Sequence, residues 1–244
     1  MVILYLRLGG KMEEVISFKT RVKNVAINES KLYESVFVNY EYLICSKAFE
    51  KQKFYTINAK EENYMHLIGV NSSLSALNFF YKCSDGILNE DDFNFKKRNN
   101  TSEASVKGSV RRKISVLHNM MEMFSGKIDI WTEESFKKNN VVCNLATSDE
   151  KCTLGFANTS KAYPKTLQKG NELKKHKMKK VDLILRKKND DKKFNEIIIG
   201  DINNVIEYFD DIKDLIDESL ITQNKQEMQK EIAYTSIKRI DFFE

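Results

Sequence analysis

Three histidines occur in the chain, His66, His118 and His176, each in a different setting. His66 lies in Asn63-Tyr64-Met65-His66-Leu67-Ile68-Gly69, after a strand-like stretch and between apolar neighbours, with a glycine three residues on that permits a turn. His118 follows Leu117 in a helical stripe and reads as a helix-flank residue, while His176 stands among lysines and reads as part of a solvated basic run. The single proline sits in Tyr163-Pro164-Lys165-Thr166-Leu167. Pro164 fixes the backbone there, and Lys165 and Thr166 offer an ammonium and a hydroxyl to an anion. Arg111-Arg112-Lys113 is a second cationic cluster, on a segment of helical periodicity.

A histidine beside a sheet, combined with lysine and hydroxyl residues elsewhere on the fold, suffices for one reaction: cleavage of RNA without a metal. The ribose 2′-OH attacks the adjacent phosphorus, a group titrating near neutrality takes its proton, and cations stabilise the charge growing on the phosphate oxygens. The protein then needs no nucleophile of its own, only a base, cationic donors and a groove that splays single-stranded RNA. Plainer readings stand beside this one: His66 as a half-buried structural histidine, residues 163–167 as an ordinary turn, and Arg111-Arg112-Lys113 as a solvent face.

Other chemistries find no support in the sequence. It holds no GxxxxGK[ST], GxGxxG, HExxH or GxSxG pattern. Cys45, Cys83, Cys143 and Cys152 form no CxxC pair, and no histidine lies at zinc-ligand spacing from them, so neither a metal nor another cofactor is expected. Acid-rich stretches such as Glu90-Asp91-Asp92 lack the EF-hand pattern. With no secretory signal or membrane-spanning apolar run evident, the expectation is a cytoplasmic protein with reduced thiols.

A chain of 244 residues with 41% hydrophobic and 31% charged residues can bury a core as one large domain, or one domain with appendages. The net charge of +5 says less than its distribution. Lys161–Lys188 carries eleven bases and two acids, +9, whereas Asp201–Leu220 carries one base and seven acids, −6. The basic stretch, including Lys174 and Lys175, suggests a polyanion partner, nucleic acid first, with a solvated basic loop neutralised by the acidic helix as the plainer reading. The acidic one suggests a cover for the basic surface, or a separate interaction element.

The elements that must position these residues follow from periodicity. Alternation predicts strands near residues 36–46 and 53–59, and a short helix over 73–83 with Leu74, Leu77, Phe80 and Tyr81 on one face. Val106, Val110, Ile114, Leu117, Met121 and Phe124 form a stripe that predicts one helix, with Ser102 or Thr101 as its N-cap and Ser125-Gly126 as its end. Strand candidates follow at 128–131, 141–146 and 153–157. A hairpin is expected from 181–186 and 195–199 around Asn189-Asp190-Asp191, then an amphipathic helix over 205–220 and a polar tail from Gln223. Residues 12–25 give a weak, mixed signal. The opening Met1–Leu8 reads as an extra strand or an upstream extension. The sum is α+β, helices packed on an antiparallel sheet. The expected organisation is an N-terminal extension over 1–30, a main domain over 31–200, and an acidic helix with a polar tail over 201–244.

The aromatic-x-His-Leu-x-Gly element at Tyr64–Gly69, the basic helix cluster and the Tyr-Pro-Lys-Thr-Leu element at 163–167 together resemble a subgroup of phage and mobile-element nucleases of the Barnase–EndoU–colicin–RelE (BECR) fold. Tyr64 stands where that subgroup has Phe, and Ile68 where Thr or Leu is more usual; residues 1–30 and those after 200 have no counterpart in it. The resemblance implies a small helical part packed on an antiparallel sheet, with RNA cleavage across the sheet face. It also implies a toxin or effector, with a cognate antitoxin or immunity protein as a partner. Carried over by position, His66 is the acid/base, Lys165 stabilises the phosphorane charge, Thr166 binds phosphate or orients the substrate, Tyr163 stacks on a base and Arg112 contacts the substrate. The alternative is a non-catalytic nucleic-acid-binding accessory protein of a mobile element, using the same basic surface.

Overall fold

The computed structural model describes residues 4–8, 11–96, 101–158 and 160–222. The chain opens with an antiparallel hairpin, β1 (Leu4–Leu8) and β2 (Lys11–Val15), then α1 (Phe18–Tyr33). The Ser17 hydroxyl caps α1 by accepting the Thr20 N–H at 3.0 Å. A π-helical turn, Glu34–Val38, leads into β3 (Tyr40–Cys45) and β4 (Phe54–Asn58). Next come α2 (Asn63–Ile68), β5 (Asn71–Ser72), α3 (Ala76–Ser84), a 3-10 turn at Glu90–Asp92, β6 (Phe93–Asn94), α4 (Glu103–Ile114) and α5 (Leu117–Glu122). The second half supplies β7 (Trp131–Glu134), β8 (Lys137–Lys138), β9 (Val141–Val142), β10 (Leu145–Ser148), β11 (Cys152–Asn158) and β12 (Ala162–Lys169). It continues with β13 (Lys179–Lys180), β14 (Leu183–Lys188), β15 (Glu196–Ile199), α6 (Ile202–Glu207) and α7 (Phe209–Ile212).

Nine strands form one sheet in the order β13-β7-β10-β11-β12-β4-β3-β14-β15. Neighbours run antiparallel except β12 and β4, which meet in parallel at one pair, Ala162↔Ile57. This corrects the wholly antiparallel expectation. Between β4 and β12 the chain passes through α2 to α5 and then β7 to β11, and only so long a crossover lets the later strand arrive in parallel. The sheet also curls. Lys179 and Lys180 pair with β7; Val181 N–H donates to Ile130 O at 2.9 Å, Asp182 N–H donates to Cys45 O at 3.1 Å, and β14 then pairs along β3. Residues 179–188 thus join the two arms of the sheet.

The main core fills the inner side of this curl. Tyr42, Ile44, Ile57, Leu145, Leu154, Phe156 and Leu167 from the sheet meet Val22, Ala26, Tyr33, Leu67, Phe80, Val110 and Phe124 from the helical side. Phe124 is almost fully buried, with its ring centroid 4.9 Å from those of Phe37 and Tyr42 and 6.5 Å from that of Phe156. On the outer face Leu43, Cys45, Leu183 and Leu185 are covered by Val205, Tyr208, Ile212 and Leu220, and a small cluster of Phe136, Cys143, Ala146 and Leu173 lies beside the β8–β9 hairpin. Packing does not stop at residue 30 or 200, since α1 runs through the first position and residues 202–220 bury apolar side chains on β3 and β14.

Several expectations shift in detail. α1 carries its buried stripe as Val22, Ala26, Ser30 and Tyr33, and the small Ala and Ser hide the pattern from a hydropathy reading. The strand expected from 36 starts at Tyr40, because the π-helical turn extends through Val38. α3 buries Phe79, Phe80 and Cys83 and leaves Leu77 and Tyr81 exposed, a different face from the one expected. All six stripe residues of 106–124 are buried, but the helix breaks where Val116 leaves helical geometry (φ −131°, ψ 10°), and Ser102 caps its first half. The strand expected at 128–131 is β7, which starts at Trp131, and the one expected at 141–146 is divided between β9 and β10. The 205–220 helix is divided into α6, α7 and later turns. Residues 163–167 lie within β12, not in a turn. The tail from Gln223 lies outside the described residues.

Phe124→Ala removes the ring on which both arms of the curl pack. It is expected to cost about 3–5 kcal/mol, read as a lower urea midpoint at unchanged m-value.

Candidate functional site

α2 carries the histidine element, and its burial pattern shows why the helix forms here. Tyr64, Leu67 and Ile68 point inward while His66 is exposed. The Tyr64 hydroxyl donates to Ala26 O at 2.7 Å, and its ring lies 4.9 Å from that of Tyr33 and 5.6 Å from that of Phe80. The aromatic preceding the histidine therefore anchors α2 to α1 and α3. Gly69 ends the helix at φ +86°, a conformation that favours glycine. A Cβ on Gly69 would lie 3.0 Å from Lys113 Cδ, and the Lys113 ammonium donates to the His66 carbonyl at 2.7 Å.

The three cations of the α4 cluster thus take three directions. Arg111 lies over the Phe18 ring at 5.0 Å, Arg112 is exposed, and Lys113 crosses to the last turn of α2. Lys113, rather than Arg112, connects the cluster to the histidine element. The sequence shows only that a cation is there; which of three consecutive residues reaches α2 follows from helix phase and packing.

β12 carries the second element. Ala162 and Pro164 are buried, and Tyr163 between them is half-buried. Pro164 pairs with Phe156 and Thr166 with Gly155, so Lys165 is the extra residue of a bulge, where a proline without an N–H can be held inside a sheet. Lys165 is exposed, and its ammonium donates to the Val142 carbonyl at 3.0 Å. Thr166 is 6% exposed; its hydroxyl accepts from Gln168 Nε2 at 3.0 Å, and its methyl would lie 2.9 Å from a Cβ placed on Gly155. Thr166 is therefore enclosed in the sheet, oriented by its neighbours.

Beyond Asn58 the chain leaves the sheet, with the Tyr33 hydroxyl holding the turn by donating to Lys60 O at 2.9 Å. It then folds as α2 and packs against β12, and α4 packs against both. The fold thus gathers three segments far apart in sequence: those of His66, of Arg112 and Lys113, and of Tyr163-Pro164-Lys165-Thr166-Leu167. Lys174 and Lys175 are exposed at a turn elsewhere, where the Lys174 N–H donates to the buried Glu133 carboxylate at 2.6 Å. His176 and Lys177 from that turn line a recess of about 170 Å³ with Lys47, Lys51 and Lys179. The acidic segment touches this recess through Glu207, 3.1 Å from the Lys47 ammonium. His118 pairs with Glu29 at 3.0 Å, in keeping with a helix-flank role.

Glu41, on the outer face of β3, went unnoticed in the sequence. It is 7% exposed and receives Lys161 at 2.5 Å, Lys187 at 3.3 Å and Asn58 Nδ2 at 3.0 Å. Burial pushes its carboxyl upward, but the hydrogen bonds and charges of Lys161 and Lys187 outweigh that and hold it below the usual carboxylate range. The four residues come from four separate segments, so no local pattern marks them.

The helical layer against a curled sheet defines an α+β protein. The chain belongs to the phage-Barnase-EndoU-ColicinE5/D-RelE like nuclease 4 family, PBECR4, whose model matches residues 27–203. It is thus a nuclease of the BECR type. No curated protein and no solved structure matches it. Among the described residues no helix is long and apolar enough to cross a membrane.

Two substitutions test this arrangement. Gly69→Ala is expected to cost about 1–2 kcal/mol from the left-handed backbone alone, seen as a lowered denaturation midpoint. Glu41→Gln leaves Lys187 buried without its charge partner and should destabilise by about 3 kcal/mol near neutrality. Because the folded Glu41 pKa is depressed, its contribution is complete above the unfolded value of about 4 and is lost as pH falls through the folded value. The stability gap between wild type and Glu41→Gln should therefore close on acidification below that point.

Proposed function

We propose that the chain is a metal-independent endoribonuclease acting where α2, α4 and β12 meet. The observation that carries this reading is the packing of α2 and α4 on β12, which joins the histidine element to the lysine-bearing strand. RNA lies along the basic surface with its scissile phosphate at this junction. His66 takes the 2′-OH proton as the 2′-oxygen bonds to phosphorus. The bond from phosphorus to the 5′-oxygen breaks, and that oxygen leaves with a proton. The products are a 2′,3′-cyclic phosphate and a 5′-hydroxyl.

Lys165 moves from the Val142 carbonyl to the phosphate and stabilises the charge on its oxygens. Thr166 orients the strand beneath Lys165. Tyr163 stacks on a base, and Arg112, Lys174 and Lys175 hold the flanking backbone. A self-toxic activity of this kind suits a phage or mobile-element effector held in check by a cognate antitoxin or immunity protein in the cytoplasm.

The test is total RNA incubated with the purified full-length protein in EDTA, beside His66→Ala and Lys165→Ala. Wild type should release cyclic-phosphate ends, and each variant should lose activity by about 100-fold or more while keeping its circular dichroism and RNA affinity. Equal cleavage by His66→Ala and wild type would overturn the role of His66. Binding without cleavage by wild type would favour the non-catalytic accessory reading, in which the exposed Lys174 and Lys175 serve affinity alone.

A further inference from the structure

Arg21 on α1 and Arg111 on α4 both lie over the Phe18 ring, 5.4 and 5.0 Å from its centroid, so their guanidinium carbons stand within the sum of those distances of each other. Both residues are exposed, and among the described residues neither meets a carboxylate. We infer that the pair is a second RNA-binding site, a clamp for backbone phosphate on the helical layer, which the strand reaches over the last turn of α4. The inference rests on the nuclease reading above and deepens it by extending the substrate's path beyond the junction.

The platform under the pair is formed by packing within the protein. Phe18 lies 5.2 Å from Phe95, and Phe95 lies 5.9 Å from Phe93, both of these buried. A ring beneath a guanidinium restrains a long side chain and leaves its N–H fork for an anion. Phosphate takes that fork in a bidentate manner. Lys107 lies 5.7 Å over Phe95 and Lys19 5.7 Å over Phe93, and exposed Lys96 lines an adjoining recess of about 410 Å³. Of the acids here, Glu103 is held by Lys107 at 2.7 Å, Glu90 accepts the Thr20 hydroxyl at 2.6 Å and Asp91 stands 3.8 Å from Lys19. Five cations against these three acids leave the region positive.

Helix phase supplies the path from the junction. Arg111, Arg112 and Lys113 step around α4 by about 100° each. Lys113 reaches the His66 carbonyl at 2.7 Å, Arg112 is exposed between, and Arg111 stands on the Phe18 ring. A single turn therefore carries a run of cations from the histidine element to the clamp. A carboxylate could also take these forks, but their continuity with the junction favours the phosphates of one RNA strand over an acidic protein.

The experiment uses the full-length protein and a fluorescent 2′-O-methyl RNA, which 2′-OH attack cannot cut, with affinity read by anisotropy across a salt series. Arg21→Gln combined with Arg111→Gln should weaken binding about tenfold and lower the slope of log affinity against log salt by about 1.4, roughly 0.7 for each phosphate released. Lys192→Gln combined with Lys213→Gln removes the same charge from exposed positions elsewhere and should leave the slope as it is. An unchanged slope in the arginine variant, or an equal loss in the lysine control, would overturn the inference. Tighter binding of polyglutamate than of RNA, lost in the arginine variant, would assign the pair to an acidic protein and overturn it too. Cleavage of unmodified RNA in EDTA reports separately on the nuclease reading. Cleavage with an unchanged slope sinks the clamp alone, and a lowered slope without cleavage upholds the clamp and sinks the catalytic reading.

Discussion

Strands β4 and β12 meet at one residue pair, and most of what distinguishes this structure depends on that short contact. Had they paired along their lengths, β12 would have had a strand beside it where α2 now packs. Instead β4 ends at Asn58, the chain turns through residues held by Tyr33 and Asn63, and α2 lies against the continuing β12. Pro164 lies just past that pair and has no N–H to offer on the β4 side, whereas the bulge at Lys165 belongs to the ladder with β11 and interrupts it without ending it. β12 thus pairs along its length with β11 and at one residue with β4. The open side accepts a helix, and that helix carries His66.

The curl of the sheet is the complementary constraint. Residues 179–188 pair first with β7 and then with β3, which bends the sheet around Phe124, Phe37 and Tyr42. With the inner side filled by the helical core, the outer side is divided among three uses. The segment over 202–220 covers β3 and β14, the β8–β9 hairpin lies beside another part, and charged and polar groups occupy the region near β4 and the start of β12. Glu41 shows how such a region is made stable: its ion pairs are half inside the protein, and its carboxylate both holds two lysines and fixes the Asn58 amide.

Much of the element content was legible because it depends on near neighbours. The stripe from Val106 to Phe124 is buried throughout, β4, β11 and the β14–β15 hairpin fall where alternation puts them, and Ser102 caps its helix. α1 was hidden because Ala26 and Ser30 occupy its inner face, and burial there is a matter of close helix packing rather than hydropathy. The inward face of α3 was misread because Leu77 and Tyr81 are apolar yet lie exposed.

For the site, the sequence by itself determined the chemical groups on offer: a histidine between apolar Met65 and Leu67, a lysine beside the lone proline, and a basic stretch from Lys161 to Lys188. It also carried the family, whose model matches residues 27–203. Only the tertiary structure decided that Lys113 reaches the His66 carbonyl, that Lys165 rests on Val142, that Thr166 is enclosed, and that Glu41 joins Lys161, Lys187 and Asn58. The physical reason is range. Propensity and periodicity act over a few residues, whereas these contacts join segments as far apart as Glu41 is from Lys161 and Lys187, 120 residues and more, and they exist only once sheet order and register have been set by the packing of the whole core.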